Sequence, residues 1–198
     1  MNLVKICKTA GIESRHLRKA EIFYEEVAPY SHGKRIVDIC SGNGLLGWYF
    51  LMNNPSIDVL SIDIKNTRKN VSLRKIILRE YPAAKDRFHC LNVDIDNTGL
   101  KLENNDFIVS IHACGYLSDN IIKIALDNCL PFGIVPCCYK PDRHLLKPDN
   151  YKPKKMHDRE EVVDCLRVEY LKEKGRKIIY KALENFPSPK NRLIMSPI

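Results

Sequence analysis

The sequence contains no apolar run near the ~20 residues that a membrane-spanning helix needs. Charged residues near its start leave no apolar core of the kind found in a secretion signal. Both absences lead to the expectation of a cytoplasmic chain with no membrane partner. Its eight cysteines follow no disulfide-framework spacing, so they are read as reduced thiols. No internal repeat breaks the 198 residues, a length that builds one domain with a real core. The reading is therefore a single domain over 1–198, with 1–30 as an N-terminal helical cover and 140–157 as a basic, proline-rich loop. Acidic excess is also missing. Thirty-two Lys and Arg against 24 Asp and Glu leave a net charge of +8, which leans toward an anionic partner.

What is present centres on residues 36–47, Ile-Val-Asp-Ile-Cys-Ser-Gly-Asn-Gly-Leu-Leu-Gly. An apolar run ends in an acid, a glycine-rich turn follows, and an apolar segment with helical character begins. This predicts a buried strand, a tight turn and a helix whose free N–H groups face the turn, a cradle for a nucleotide-like ligand. Gly42, Gly44 and Gly47 spell the dinucleotide fingerprint G-x-G-x-x-G, and Asp63 lies where a ribose-binding acid belongs. Asp38 opposes that reading, because a carboxylate under the turn repels a pyrophosphate. A ligand without phosphate and with a cationic centre tolerates the acid, and S-adenosylmethionine (SAM) is such a ligand. A structural turn with no ligand is the bland alternative.

Taken in order, 1–30 reads as helix, with Lys19 a candidate for the cofactor's carboxylate and Arg15 and Arg18 on a solvated face. Strands are expected at 36–40, 59–64, 88–93, 107–111 and 132–135, with helices at 45–53, 65–81 and from Ser118 or Asp119 to 128. A last helix runs over 158–174, capped by Gly175, and strands at 177–183 and 192–195 close the chain as a hairpin. Such a largely parallel sheet is an α/β, Rossmann-like arrangement with helices on both faces and an antiparallel closing strand. Two basic stretches are candidate RNA-contacting surfaces: Lys65, Arg68, Lys69, Arg74, Lys75 and Arg79, and then Lys140, Arg143, Lys147, Lys152, Lys154 and Lys155. The second lies in an irregular loop long enough to suggest function or disorder.

In open α/β sheets, ligands bind at the carboxyl ends of strands where strand order reverses. The chemically unusual residues all fall at such ends: Asp38, Asp63, Asp94, His112, Cys114, Cys137 and Cys138. The cysteines admit three readings: a zinc site, small apolar packing, or pocket lining with His112 as the polar contact. Their spacing matches no common zinc pattern, so no metal is expected.

Asp38-x-Cys40-x-Gly42-x-Gly44 resembles the D-x-G-x-G-x-G motif of class I SAM-dependent methyltransferases, with Cys40 in place of the first glycine. That exchange is harmless if position 40 has negative φ and troubling if it needs positive φ. Residues 111–119 (Ile-His-Ala-Cys-Gly-Tyr-Leu-Ser-Asp) and Pro136-Cys137-Cys138-Tyr139 resemble the H-A-C-G-x-L-[ST]-D and P-C-C-Y motifs of one methyltransferase-like branch. So does the closing Ser188-Pro189-Lys190-Asn191-Arg192-Leu193-Ile194. The branch includes eukaryotic tRNA acceptor-stem 2′-O-methyltransferases and glutathione-transferase-C-terminal-domain-containing proteins.

The resemblance implies a seven-stranded fold and SAM bound by Lys19, Asp38, Cys40, Ser41, Gly42, Gly44, Asp63, Ile64, Asp94, Ile95, His112 and Ala113. Within it, Asp63 takes the ribose hydroxyls, Asp94 the adenine amino group, and Ile95 packs near the base. His112, Tyr139 and Lys140 are the catalytic candidates. The N/D-P-P-Y motif of amino-nitrogen methyltransferases is missing, which disfavours exocyclic amines as acceptors. RNA methylation is the leading reading. Protein or small-molecule methylation and a non-catalytic SAM-binding module remain alternatives, and oligomeric state is open.

Overall fold

The computed structural model describes residues 2–31, 33–96, 100–138 and 156–197. Five parallel strands form the sheet's centre and one flank: β1 (Arg35–Ile39), β2 (Val59–Asp63), β3 (Phe88–Asn92), β4 (Asp106–Ile111) and β5 (Phe132–Val135). They are joined by β6 (Ile179–Ala182) and β7 (Arg192–Ser196), and β7 runs antiparallel to both of its neighbours. The order is β3-β2-β1-β4-β5-β7-β6, so strand order reverses between β1 and β4.

Period-two alternation assigns each strand residue to one of two cores. Ile36, Phe107, Val109 and Val135 face one side, where they meet Phe23, Trp48, Leu51, Leu73 and Ile77. Val37, Ile108, Phe132 and Ile134 face the other, against Ile121, Ala125, Val168 and Leu171. The first face is covered by α1 (Leu3–Thr9), α2 (Ser14–Val27), α3 (Leu45–Asn53) and α4 (Arg68–Glu80); the second by α5 (Tyr116–Asp127) and α6 (Met156–Glu173). Because helices cover both faces, the central strands read as continuous apolar runs.

Several expected boundaries shift for identifiable reasons. The helix expected over 1–30 is two helices: Gly11 turns left-handed at φ 69°, and the Ile12 N–H closes α1 by donating to the Cys7 carbonyl at 2.8 Å. A 3₁₀ turn, Ala28–Tyr30, follows α2. Helix α5 starts at Tyr116 after Gly115, so neither Ser118 nor Asp119 is its cap. Ser118 instead donates to the Ala113 carbonyl at 2.6 Å, and Asp119 joins a buried ion network. Val71, expected on the apolar side of α4, is 56% exposed. Gly175 closes α6 at φ 77°, with the Arg176 N–H bonded to the Leu171 carbonyl, as expected.

Candidate functional site

Backbone geometry at the end of β1 explains the motif. Cys40, Gly42 and Gly44 all have positive φ, at 59°, 58° and 73°, so every second residue of the turn is left-handed. Glycine reaches that conformation freely, whereas an L-residue with a Cβ incurs about 1–2 kcal/mol. Cys40 therefore stands where glycine is preferred, and the harmless case, negative φ, does not apply. A second strained residue sits across the cavity: His112, just past β4, has φ 66°. Backbone strain of this kind concentrates at functional sites.

The turn, α2 and the β4 end enclose a cavity of about 240 Å³. Its wall includes His16, Lys19, Asp38, Cys40, Ser41, Gly42, Asn43, Leu46, Ile111 and His112. Six sequence-predicted residues thus meet there: Lys19, Asp38, Cys40, Ser41, Gly42 and His112. Gly44 lies behind the wall; a Cβ on it would come within 2.9 Å of Asn70 Nδ2. Gly47 is a packing position, where a Cβ would meet Val59 at 2.8 Å. Asp63, Ile64, Asp94, Ile95 and Ala113 are not on this wall. Asp63 ends β2 and Ile64 follows it, Asp94 and Ile95 follow β3, and Ala113, next to His112, is buried. Tyr139, Lys140 and the basic stretch 140–155 fall outside the described residues.

Asp38 is 1% exposed, and its Oδ2 accepts one hydrogen bond, 3.1 Å, from the Gly47 N–H. Burial pushes its carboxyl up to about 7; the Gly47 bond opposes this and the nearby Asp63 charge adds to it. The free site thus holds a carboxylate that a cation would stabilise. Asp63 Oδ2 accepts from the Gly42 N–H at 2.7 Å, which ties the β2 tip to the turn and leaves Oδ1 the less engaged oxygen. Asp94 Oδ1 accepts from the Asp96 N–H at 3.0 Å.

The tautomer of His112 follows from its partners. Lys19 Nζ approaches Nδ1 at 3.3 Å and, as an ammonium, only donates; the Lys190 carbonyl lies 3.1 Å from Nε2 and only accepts. Nε2 therefore carries the proton and Nδ1 accepts. Burial lowers the His112 pKa, the Lys190 carbonyl opposes that shift, and Lys19 adds to it, so the ring is neutral at pH 7. Its single N–H is committed to Lys190, which removes the role of hydrogen-bond donor to a ligand. His16 was not singled out as a site residue; its signal is helical spacing, one turn before Lys19 on α2.

A profile described as a methyltransferase domain matches residues 14–142, well over half of the chain. The chain belongs to that family. Among curated proteins, the domain is 31% identical over 114 residues to a glutathione S-transferase C-terminal domain-containing protein of Xenopus laevis. It is 30% identical over 109 residues to the Homo sapiens protein of the same name. Each alignment spans 54% of this chain but only 16% of the relative, so the domain corresponds to a small part of those proteins.

Among solved structures, the fold is shared with the methyltransferase domain of bacterial CtHen1-CN, at TM-score 0.64 and 11% identity, covering 92% of this chain and 99% of that one. A SAM-dependent methyltransferase from Aquifex aeolicus overlays at TM-score 0.55 and 14% identity, covering 99% and 98%. At such identities the likeness is one of fold. Family and fold together make this a class I SAM-dependent methyltransferase domain, for which SAM is the cofactor. The site fits that cofactor: Asp38 is a buried carboxylate to which no described residue brings a cation, which favours an ammonium or sulfonium, and Lys19 on the same wall suits a carboxylate.

Proposed function

We propose that this methyltransferase domain methylates RNA. The observation that carries the reading is the start of α4. Arg68 and Lys69 occupy its first turn, which holds no acid, and both are exposed. Cations there oppose the helix macrodipole, at a typical cost of 0.3–1 kcal/mol each, so folding gains nothing from them. A phosphate would be held both by these side chains and by the helix terminus. Lys65, Lys75 and Arg79 extend the exposed basic face. The face abuts the cofactor turn, since Asn70 packs over Gly44. The resemblance to tRNA 2′-O-methyltransferases in the H-A-C-G and P-C-C-Y motifs supports the same acceptor class.

In this reading SAM supplies an electrophilic methyl group on a sulfonium. Asp38 holds the amino group and Lys19 the carboxylate. Asp63 takes a ribose hydroxyl through Oδ1, Asp94 and Ile95 receive the adenine, and Ser41 and Gly42 line the path between them. With Lys19 turned to a carboxylate, Nδ1 of His112 would be open to accept a hydrogen bond from the acceptor hydroxyl, align it for in-line attack, and take its proton as the methyl group leaves the sulfur. Tyr139 and Lys140 remain candidate contacts to the anionic acceptor.

Three measurements test this. With methyl-labelled SAM and cell extract, label is expected in ribonuclease-sensitive material. Label in protein or small molecules favours those acceptors instead, and bound SAM with no transfer favours a binding module. Arg68→Glu with Lys69→Glu should raise thermal stability slightly while reducing RNA methylation at least tenfold. Unchanged methylation removes α4 from the interface. Asp63→Ala should weaken SAM binding by about 1.5–3 kcal/mol, read by calorimetry.

A further inference from the structure

We infer that Cys114, Cys137 and Cys138 form a three-thiolate site for one thiophilic metal ion, zinc in the first instance. The sulfur atoms of these three residues all lie within 4.8 Å of one another. Sequence spacing speaks against a metal because it matches no common ligand pattern. Topology removes that objection. Strands β4 and β5 are parallel partners with Ile111 beside Val135, so residues two and three beyond each strand end arrive at one height. Cys114 is three past Ile111; Cys137 and Cys138 are two and three past Val135. Beyond the strand end, successive side chains no longer alternate between faces, and adjacent cysteines can turn to the same point.

Packing accounts poorly for this cluster. A free cysteine that serves as a small hydrophobe is buried, yet Cys114 and Cys138 are exposed and only Cys137 is buried. The Cys114 and Cys137 sulfurs are 2.8 Å apart, and each lies within 3.5 Å of the His112 carbonyl. Tetrahedral zinc with Zn–S bonds of about 2.3 Å wants sulfurs about 3.8 Å apart, wider than the 2.8 Å between Cys114 and Cys137 and inside the 4.8 Å that bounds all three. Small side-chain rotations therefore complete the site. Among the described residues three sulfurs meet, and a tetrahedral ion takes a fourth ligand besides them. A hollow of about 10 Å³, lined by Pro136, Cys137, Cys138 and Arg192, adjoins it and suits one water-sized ligand. The site begins two residues past His112 and does not depend on RNA being the acceptor.

The test is metal content and cobalt spectroscopy on the whole chain. Purified without chelator, the protein is expected to carry one zinc per chain. Cobalt exchanged into it should show thiolate charge-transfer and tetrahedral ligand-field absorption. Cys114→Ser and Cys138→Ser, both at exposed positions, should abolish the cobalt bands, whereas the exposed Cys129→Ser and Cys165→Ser should keep them. The wild-type spectrum needs no variant, so a misfolded substitution does not remove the test. The proposal fails if eight free thiols titrate with no cobalt spectrum. It fails equally if the chain is two mass units light from a Cys114–Cys137 disulfide, or if binding survives Cys138→Ser.

Discussion

Asp38 is the residue on which the site's response to pH turns. Its carboxyl titrates near 7 in the free protein and near the ordinary 3.8 when unfolded. The folded, ligand-free domain therefore binds this proton more tightly than the unfolded chain. Its contribution to stability is greatest below about pH 4 and declines as pH rises toward 7. SAM, through its cationic groups, selects the ionised form. Affinity should accordingly fall about tenfold per pH unit below 7, as read by calorimetry across pH 5–8. Asp38→Asn should flatten both trends, raise the ligand-free melting temperature above pH 7, and weaken SAM binding at least tenfold. Cys40 makes a second residue-scale case. Cys40→Gly should relieve left-handed strain and offset about 1 kcal/mol of it with glycine's extra chain entropy, leaving stability within about 1 kcal/mol and SAM affinity little changed. A large loss of affinity would mean that the Cys40 side chain itself contacts the ligand.

At the scale of elements, the loop after β4 is held by charges that sequence periodicity did not expose. Arg167 of α6 is 2% exposed; it donates to Asp119 of α5 at 2.6 Å, to Asp164 at 2.8 Å and to the Gly115 carbonyl at 3.3 Å. Arg192 of β7 donates to the other Asp164 oxygen at 2.9 Å. The network pins α6, β7 and the H-A-C-G loop together next to the three cysteines. Replacing Arg167 with Leu removes the guanidinium from the buried Asp119 and leaves Asp164 with Arg192, and it should cost about 3 kcal/mol in denaturant unfolding. The joint Arg167→Leu, Asp119→Leu variant should recover part of that loss, because the buried carboxylate goes together with its cation. The Arg35–Asp106 fork, at 2.7 and 2.9 Å, plays a similar part at the opposite end of the β1–β4 pair.

For the whole molecule, the strand and helix pattern was largely legible because buried parallel strands are short apolar runs and covering helices are periodic. The left-handed backbone at Cys40 and His112 was not legible, since φ at a non-glycine residue is imposed by tertiary context. The split of the N-terminal helix was hidden because Gly11 interrupts a pattern whose two halves pack on the same core. RNA binding, if it rests on α4, should weaken steeply as salt is raised from 50 to 200 mM, since neutralising phosphates releases counterions.

What the sequence determined by itself is the turn at 36–47, the acids at strand tips, and thereby the cofactor class; all are local, set by residue type and short spacing. Tertiary structure decided which of those residues share a cavity, that the proton of His112 lies on Nε2, and that three scattered sulfurs converge. Each depends on the register of strands far apart in the chain, which a linear spacing does not encode and a parallel β4–β5 pairing does.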